Sequence, residues 1–427
     1  MLVDALLQAG EDHGVRAEAD FDHLSLEWLA ERHRHNDELR RQSPVIWNRT
    51  YGYWYVTGYD EVAAVSRDSE TFTPRYAEPA EDGLYYIGIM GVPRDEGLPP
   101  VGIAEAEAGR HTALRRAINP FMLPAAVDRD RAFLEQAATW CLDQKIEDGL
   151  MDLVLEFTNP VPAIWTMRLM GIPPTKWEHW AEYFHSAAAF GQQMPEYQAA
   201  IARTPEMVAE VTEVLHERRG HPGDDLMSRL VTMEIEGRPM TDDELVAVMW
   251  NLIGGGVDTT TSLTSLALVH LSERPELRDR LAEDPDLLSA SCEEYLRWTS
   301  VNETLTRTCT SDTVLGGQEI KRGEFVMMSW LAADHDPAVF PDPGAVDVDR
   351  APNPHLAFGV GAHRCIGLHV ARVMFEVMMR EVLTRIPDYV VDYDATTYYK
   401  GNPKLFGVVT MPATFTPGEP RGVDRPF

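Results

Sequence analysis

The run from Thr241 to Ser272 constrains this chain more than any other stretch. Thr241 and Glu244 are spaced as a capping box and Pro275 follows the last periodic residue, so the segment is predicted to be one long helix. At 1.5 Å per residue, its roughly 30 residues span about 45 Å. It is apolar nearly all round, so it must thread the middle of the protein rather than lie on its surface. In its centre stand three glycines, Gly254 to Gly256, followed by Val257, Asp258 and three threonines, Thr259 to Thr261. Each glycine costs about 1 kcal/mol relative to alanine, and β-branched threonines do not repair that. Two readings follow. The run is a plain break, with Asp258 or Thr259 capping a second helix. Alternatively, the bare glycines let a flat ligand lie against the helix, with Asp258 and Thr259 supplying an acid and a hydroxyl for a proton relay.

A helix of that kind needs apolar material around it, and 427 residues at 44% hydrophobic content supply it. Apolar residues recur with a 3.6-residue period over 176–190, 242–253, 286–298 and 368–386. Residues 45–56 read as a hairpin about Tyr51 and Gly52, with short strand-like pieces near 301–330 and 386–415. The fold class is therefore mainly α with small β-sheets. No repeat, low-complexity tract or linker divides the chain, so 1–427 reads as a single domain. Residues 73–109 are Pro/Gly-rich with an embedded YYIGIM, longer than an idle connection, and are read as a lid over a pocket.

The first residues lack a cationic leader, and no window offers about 18 consecutive apolar residues, so a cytoplasmic protein without a stable membrane anchor is expected. Lys plus Arg number 38 against 68 Asp plus Glu, a net charge of −30, which disfavours nucleic acid and anionic membrane as partners. Any basic surface must be local.

Cys141, Cys292, Cys309 and Cys365 are scattered without CxxC spacing, against a disulfide framework, zinc ribbon or iron-sulfur cluster. Cys365 is set apart by its surroundings, FGVGAHRCIG, residues 358–367. The glycines bring backbone close to a ligand, and a helix beginning near Gly367 aims its amides at the sulfur, favouring thiolate. That suits a metal ligand or a nucleophile. A dinucleotide loop does not fit, because Arg364 stands where GxGxxG needs its third glycine. His355, His363, Cys365 and His369 lie close in sequence but lack the paired spacings of a zinc site.

The segment Phe358-Gly359-x-Gly361-x-His363-x-Cys365-x-Gly367 resembles the heme-binding loop of a cytochrome P450. In the family's order it is joined by Gly255-Gly256-Val257-Asp258-Thr259-Thr260 in the long helix and by Glu294-x-x-Arg297 between them. The similarity runs from residue 45 to the C-terminal strands. It implies the cytochrome P450 fold, with the long central helix over heme b (iron protoporphyrin IX). Cys365 is implied as the metal ligand, with Phe358 packing on its side of the heme. His111, Arg115, Arg307 and His363 are implied as partners of the heme propionates. Glu294 and Arg297 are implied as a buried pair bracing the Cys365 loop, together with His335.

Asp258 and Thr259 are implied as the catalytic proton-delivery pair of a monooxygenase, an oxidoreductase that inserts one oxygen atom of O2 into a hydrophobic small molecule. The substrate is expected to be terpenoid, steroid, fatty-acyl or aromatic. Tyr86, Ile87, Met90, Leu252, Ile253, Val257, Leu405 and Phe406 are candidate pocket residues. No flavin or nicotinamide fingerprint is present, so electrons are expected from a bacterial ferredoxin and ferredoxin reductase, docked on a basic patch of Arg364, Arg372 and Arg116. A monomer is expected. The alternatives are a peroxide-using heme-thiolate enzyme, against which the Asp258-Thr259 pair counts, and a non-catalytic heme sensor or carrier. The chain departs from the family in VGIAEAEAGR before His111, in the extra Gly254, and in Asp334-His335 where Asn-Arg is usual.

Overall fold

The computed structural model describes residues 16–427 apart from 78, 79, 81, 92–94 and 96; the reading of the chain's start lies outside the described residues. The central helix runs without interruption from Asp242 to Ser272, and both halves of the Thr241/Glu244 capping box form. The glycine run does not break it, and the reason is packing. A Cβ on Gly254 would sit 3.0 Å from Phe184 Cε1, and one on Gly256 would sit 2.9 Å from Thr166 Oγ1, so two neighbouring helices press against bare backbone. A Cβ on Gly255 would meet nothing within 4 Å. The threonines turn their hydroxyls back along the helix instead of capping a new one: Thr259, Thr261 and Thr264 donate to the carbonyls of Gly255, Val257 and Thr260 at 2.8, 2.9 and 3.0 Å.

Around this axis pack helices Pro160–Met170, Trp177–Ala189 and Leu368–Arg385, and the last of these also lies against Pro124–Asp143 and Pro285–Thr299. Their shared interior is the main apolar core, including Phe157, Trp180, Tyr295, Phe375 and Met378. A six-stranded sheet forms the other side, in the order Glu18–Ala19, Val45–Asn48, Tyr53–Val56, Phe325–Ser329, Thr304–Cys309, Phe72–Thr73. The hairpin pairs Val45 with Val56 and Trp47 with Trp54. Its strands are buried on both faces, by apolar clusters around Trp54 and around Tyr55. Smaller sheets at 390–391, 397–398 and 408–414 close the C-terminal end. The expected class, mainly α with small sheets, is the one observed.

The described part of 73–109 is more structured than a free lid. Thr73 pairs with Thr308, Tyr76–Ala77 pairs with Tyr86–Ile87, and Gly102–Glu105 is a 3₁₀ turn packed on the central helix. Residues 78, 79, 81, 92–94 and 96 of that stretch lie outside the described residues. No described helix is long and apolar enough to cross a membrane.

Candidate heme and oxygen site

The loop after Leu356 brings Cys365 back under the central helix. Gly359 and Gly361 adopt φ of +65° and +79°, a left-handed backbone that strains other residues. A Cβ on Gly361 would also stand 2.9 Å from the Arg67 Cα and the Ser66 carbonyl, so the loop lies directly on the helix that ends there. The Cys365 amide donates to the Phe358 carbonyl at 2.8 Å, and Gly367 is the N-cap of helix Leu368–Arg385. The amides act on the thiol in the expected direction, towards thiolate, but they do not decide its state alone. Burial outweighs the Gly367 amide and the nearby Arg115, Arg372 and Arg364 charges, so the free thiol's pKa is raised. A metal held by Cys365 would supply the deprotonation, since coordination ionises a thiol outright.

Cys365, Phe358, His363, His111 and Arg115 line one cavity of about 880 Å³, together with Gly254, Gly255, Gly256, Asp258 and Thr259 of the central helix. His111 and His363 face each other with ring centroids 4.1 Å apart. Burial and the neighbouring Arg115 lower the pKa of His111; burial, His111, Arg307 and Arg115 bring that of His363 to about 3. Among the described residues Arg115 donates only to carbonyls, those of Arg364 at 2.7 Å and Ala362 at 3.3 Å. Arg307 lies behind the wall rather than on it. Its guanidinium is buried, donates to the Thr306 carbonyl at 2.7 Å, and is pushed down to about 10 by burial.

Among the described residues no carboxylate pairs with any of these groups. Buried without a partner are His363 Nδ1 and the indole Nε1 of Trp330, which also lines the cavity. A ring of cations and imidazoles lacking its anions, beside a partly accessible cysteine, fits a flat metallo-macrocycle carrying two carboxylates.

Asp258 is only 3% exposed. Its Oδ1 lies 2.7 Å from His185 Nδ1, its Oδ2 accepts the Tyr399 hydroxyl, and Tyr399 in turn is 3.0 Å from Ser262 Oγ. Nothing in the sequence ties His185, on an ordinary amphipathic helix, or Tyr399, in a short strand region, to Asp258. Both are brought to it by tertiary packing alone.

The brace behind the loop also differs from expectation. Arg297 Nη2 and Nε hold both oxygens of Glu294 at 2.7 and 2.9 Å, and the guanidinium donates to the carbonyls of Asp334, Pro343 and Ala345. The third member is Arg350, whose Nε lies 3.0 Å from Glu294 Oε2, with Asn353 Nδ2 at 3.1 Å. His335 is not part of it: its Nδ1 bonds the Leu331 carbonyl and its Nε2 is buried without a partner. Arg372 is not a free surface cation either, because Glu293 takes it at 2.6 and 2.7 Å. Of the pocket candidates, Ile87, Met90, Leu252 and Leu405 line the cavity. Ile253 and Val257 point into the core, a helical turn's geometry away from Leu252, Gly255 and Thr259. Tyr86 hydrogen-bonds Asp82, and Phe406 lies under Arg32.

A cysteine at a helix N-terminus, facing an acid and a hydroxyl across a cation-ringed slot, defines a heme-thiolate protein. The family model for Cytochrome P450 matches residues 183–387. The chain is 31% identical over 387 residues to a steroid C26-monooxygenase of Mycolicibacterium smegmatis, covering 90% of this chain and 92% of that one. It is 29% identical to the 6-deoxyerythronolide B hydroxylase of Saccharopolyspora erythraea, covering 88% and 92%. A solved cytochrome P450 from Mycobacterium marinum in complex with pseudoionone superposes with a TM-score of 0.84 at 28% identity, covering 94% and 100%. The chain belongs to the cytochrome P450 family. It is a heme-binding, oxygen-incorporating oxidoreductase.

Proposed function

We propose that this monooxygenase inserts one atom of O2 into a hydrophobic small molecule of terpenoid, steroid, fatty-acyl or aromatic type. Its electrons come from a separate ferredoxin served by a ferredoxin reductase, and the chain works in the cytoplasm as one monomeric heme domain, 1–427. The observation that carries the reading is that Cys365 and Thr259 line the same mainly apolar cavity. Supporting the substrate class, relatives are named for steroid, macrolide and, in Pseudomonas putida, linalool oxidation.

In this reading Cys365 is the metal ligand, Phe358 packs beside it, His111, Arg115 and His363 hold the propionates, and Arg307 adds its charge from behind the wall. Heme, when bound, supplies the activation of O2. The protein's own residues do the rest. Thr259 sits above the slot with its hydroxyl on the Gly255 carbonyl, able to turn and hold a water. Asp258 passes protons to that water from its buried position one residue earlier. Leu252, Leu263, Leu305 and Leu405 exclude bulk water and orient the substrate.

The test is spectroscopic. The purified protein should be red, and its reduced carbon monoxide complex should absorb at the long wavelength of a thiolate-ligated heme. Cys365→His should move that band to the shorter wavelength of an imidazole-ligated one. A colourless protein that retains zinc, or a band unmoved by Cys365→His, overturns the assignment. Screening hydrophobic compounds for a low-to-high-spin shift then finds the substrate.

A further inference from the structure

Lys404 sits in the loop between strands Thr397–Tyr398 and Val408–Thr410, 9% exposed, and lines the cavity. Its backbone is pinned. The amide donates to Asn402 Oδ1 at 3.0 Å, the carbonyl accepts from the Glu303 amide at 2.7 Å, and the preceding Pro403 carbonyl accepts from Thr304 Oγ1. Its ammonium is not. Among the described residues, Nζ has neither a hydrogen bond nor a carboxylate within ion-pair distance.

The acids of the cavity wall are engaged elsewhere, Glu105 among them, which accepts from the Val101 amide at 3.2 Å. Asp95 on the cavity wall accepts from the Tyr197 hydroxyl at 2.7 Å and from Gln192 at 3.4 Å. Asp258 is taken by His185 and Tyr399. Glu303, the neighbour of its carbonyl, has Arg32 Nε 2.6 Å away. Burial alone pulls Lys404 down to about 8, and its charge is one of the causes, after burial, that bring the buried His23 to about 3. At neutral pH it is therefore still mostly an ammonium, held in an apolar wall with Leu24, Ile87 and Leu405.

Lys404 stands apart from the His111, Arg307 and Arg115 charges that act on His363. A buried cation that lacks its counter-ion, on the wall of a ligand cavity, is placed to receive one from the ligand. Arg32 is already paired with Glu303, so Lys404 offers the cavity a single compact ammonium, which matches a monoanion rather than a phosphate.

We propose that Lys404 binds the carboxylate of the substrate, so that the enzyme oxidises an apolar acid at a carbon remote from its acid group. This rests on the monooxygenase reading of the cavity, but it is tested by affinity rather than turnover. Dodecanoic, geranic and lithocholic acids are each paired with their methyl esters and titrated into the holoenzyme by calorimetry, alongside the heme spin shift. In at least one pair the acid should bind about 10-fold or more tightly than the ester, the least expected when a buried charge finds its partner.

Lys404→Gln should abolish that preference by weakening the acid while leaving the ester within about twofold, and Lys404→Arg should retain it. Equal affinity for acid and ester in every pair overturns the proposal using the wild-type protein alone, as does an acid affinity unchanged in Lys404→Gln. Loss of the thiolate-type carbon monoxide band in the wild type would instead overturn the monooxygenase reading, whatever the calorimetry gives.

Discussion

His185 Nδ1 lies 2.7 Å from Asp258 Oδ1 while its Nε2 lies 3.1 Å from the Val409 carbonyl. Both ring nitrogens face acceptors, and only the imidazolium can donate to both. Burial opposes that charge, but the Asp258 carboxylate, its hydrogen bond and the Val409 carbonyl outweigh it, and the pKa of His185 is raised. A raised pKa means the pair stabilises the fold fully below the ordinary histidine value of about 6.5 and loses that contribution as pH rises through the elevated one.

Removing one partner of a buried pair costs about 3–5 kcal/mol, so His185→Gln should destabilise by about 3 kcal/mol near pH 6, with Tyr399 still holding the acid. The deficit relative to wild type should shrink as pH rises. Denaturant unfolding of the holoenzyme across the pH range measures it, and a deficit independent of pH shows that the imidazole is neutral.

Thr259→Ala should leave heme content and substrate binding nearly intact while diverting reducing equivalents into hydrogen peroxide. Asp258→Asn should slow turnover by roughly 10²-fold, the share of one general acid. Product and peroxide per electron consumed are the measurements, and unchanged coupling in Thr259→Ala means that another group runs the relay.

Arg350→Ala leaves the buried Glu294 with one cation, Arg297, beside its bonds from Asn353 and the Asp347 amide, and should destabilise by about 3 kcal/mol with loss of heme. His335→Gln breaks only one bond to a carbonyl and should cost about 1 kcal/mol. Comparing melting and heme retention in the two variants discriminates them; the reverse order restores His335 to the brace.

Arg364 and Arg116 are exposed, and no ion pair engages them among the described residues. Because rim charges act mainly on association, Arg364→Glu should raise KM for ferredoxin most at low salt, where the screening length exceeds about 10 Å. Arg372→Ala should instead loosen the Cys365 loop, since Arg372 ties Glu293 to it and lies 4.9 Å over the Phe358 ring. A ferredoxin KM indifferent to Arg364→Glu places the docking surface elsewhere.

The parts legible in the sequence were those encoded locally. The capping box, the helical periods and the crowded glycines around Cys365 each carry their own geometry within a few residues. What could not be read depends on partners far along the chain. Arg350 lies in an irregular stretch, VDVDR, with no period to announce that it reaches Glu294, and the more conspicuous His335 drew the assignment. Tyr399 and His185 meet Asp258 across 141 and 73 positions. The continuity of the central helix was legible in its ends but left open at its centre, because the glycines are accommodated by Phe184 and Thr166, which local propensity does not see.

The three glycines are, for that reason, not interchangeable. At Gly254 and Gly256 a methyl group would crowd the Phe184 ring and the Thr166 hydroxyl of neighbouring helices, which would have to shift to admit it. At Gly255 the same methyl projects into free space, and the helix itself prefers it by about 1 kcal/mol. Position 255 is thus where the volume left to the bound groups and protein stability trade directly against each other: the chain forgoes helix stability there and leaves bare backbone facing the cavity beside Thr259.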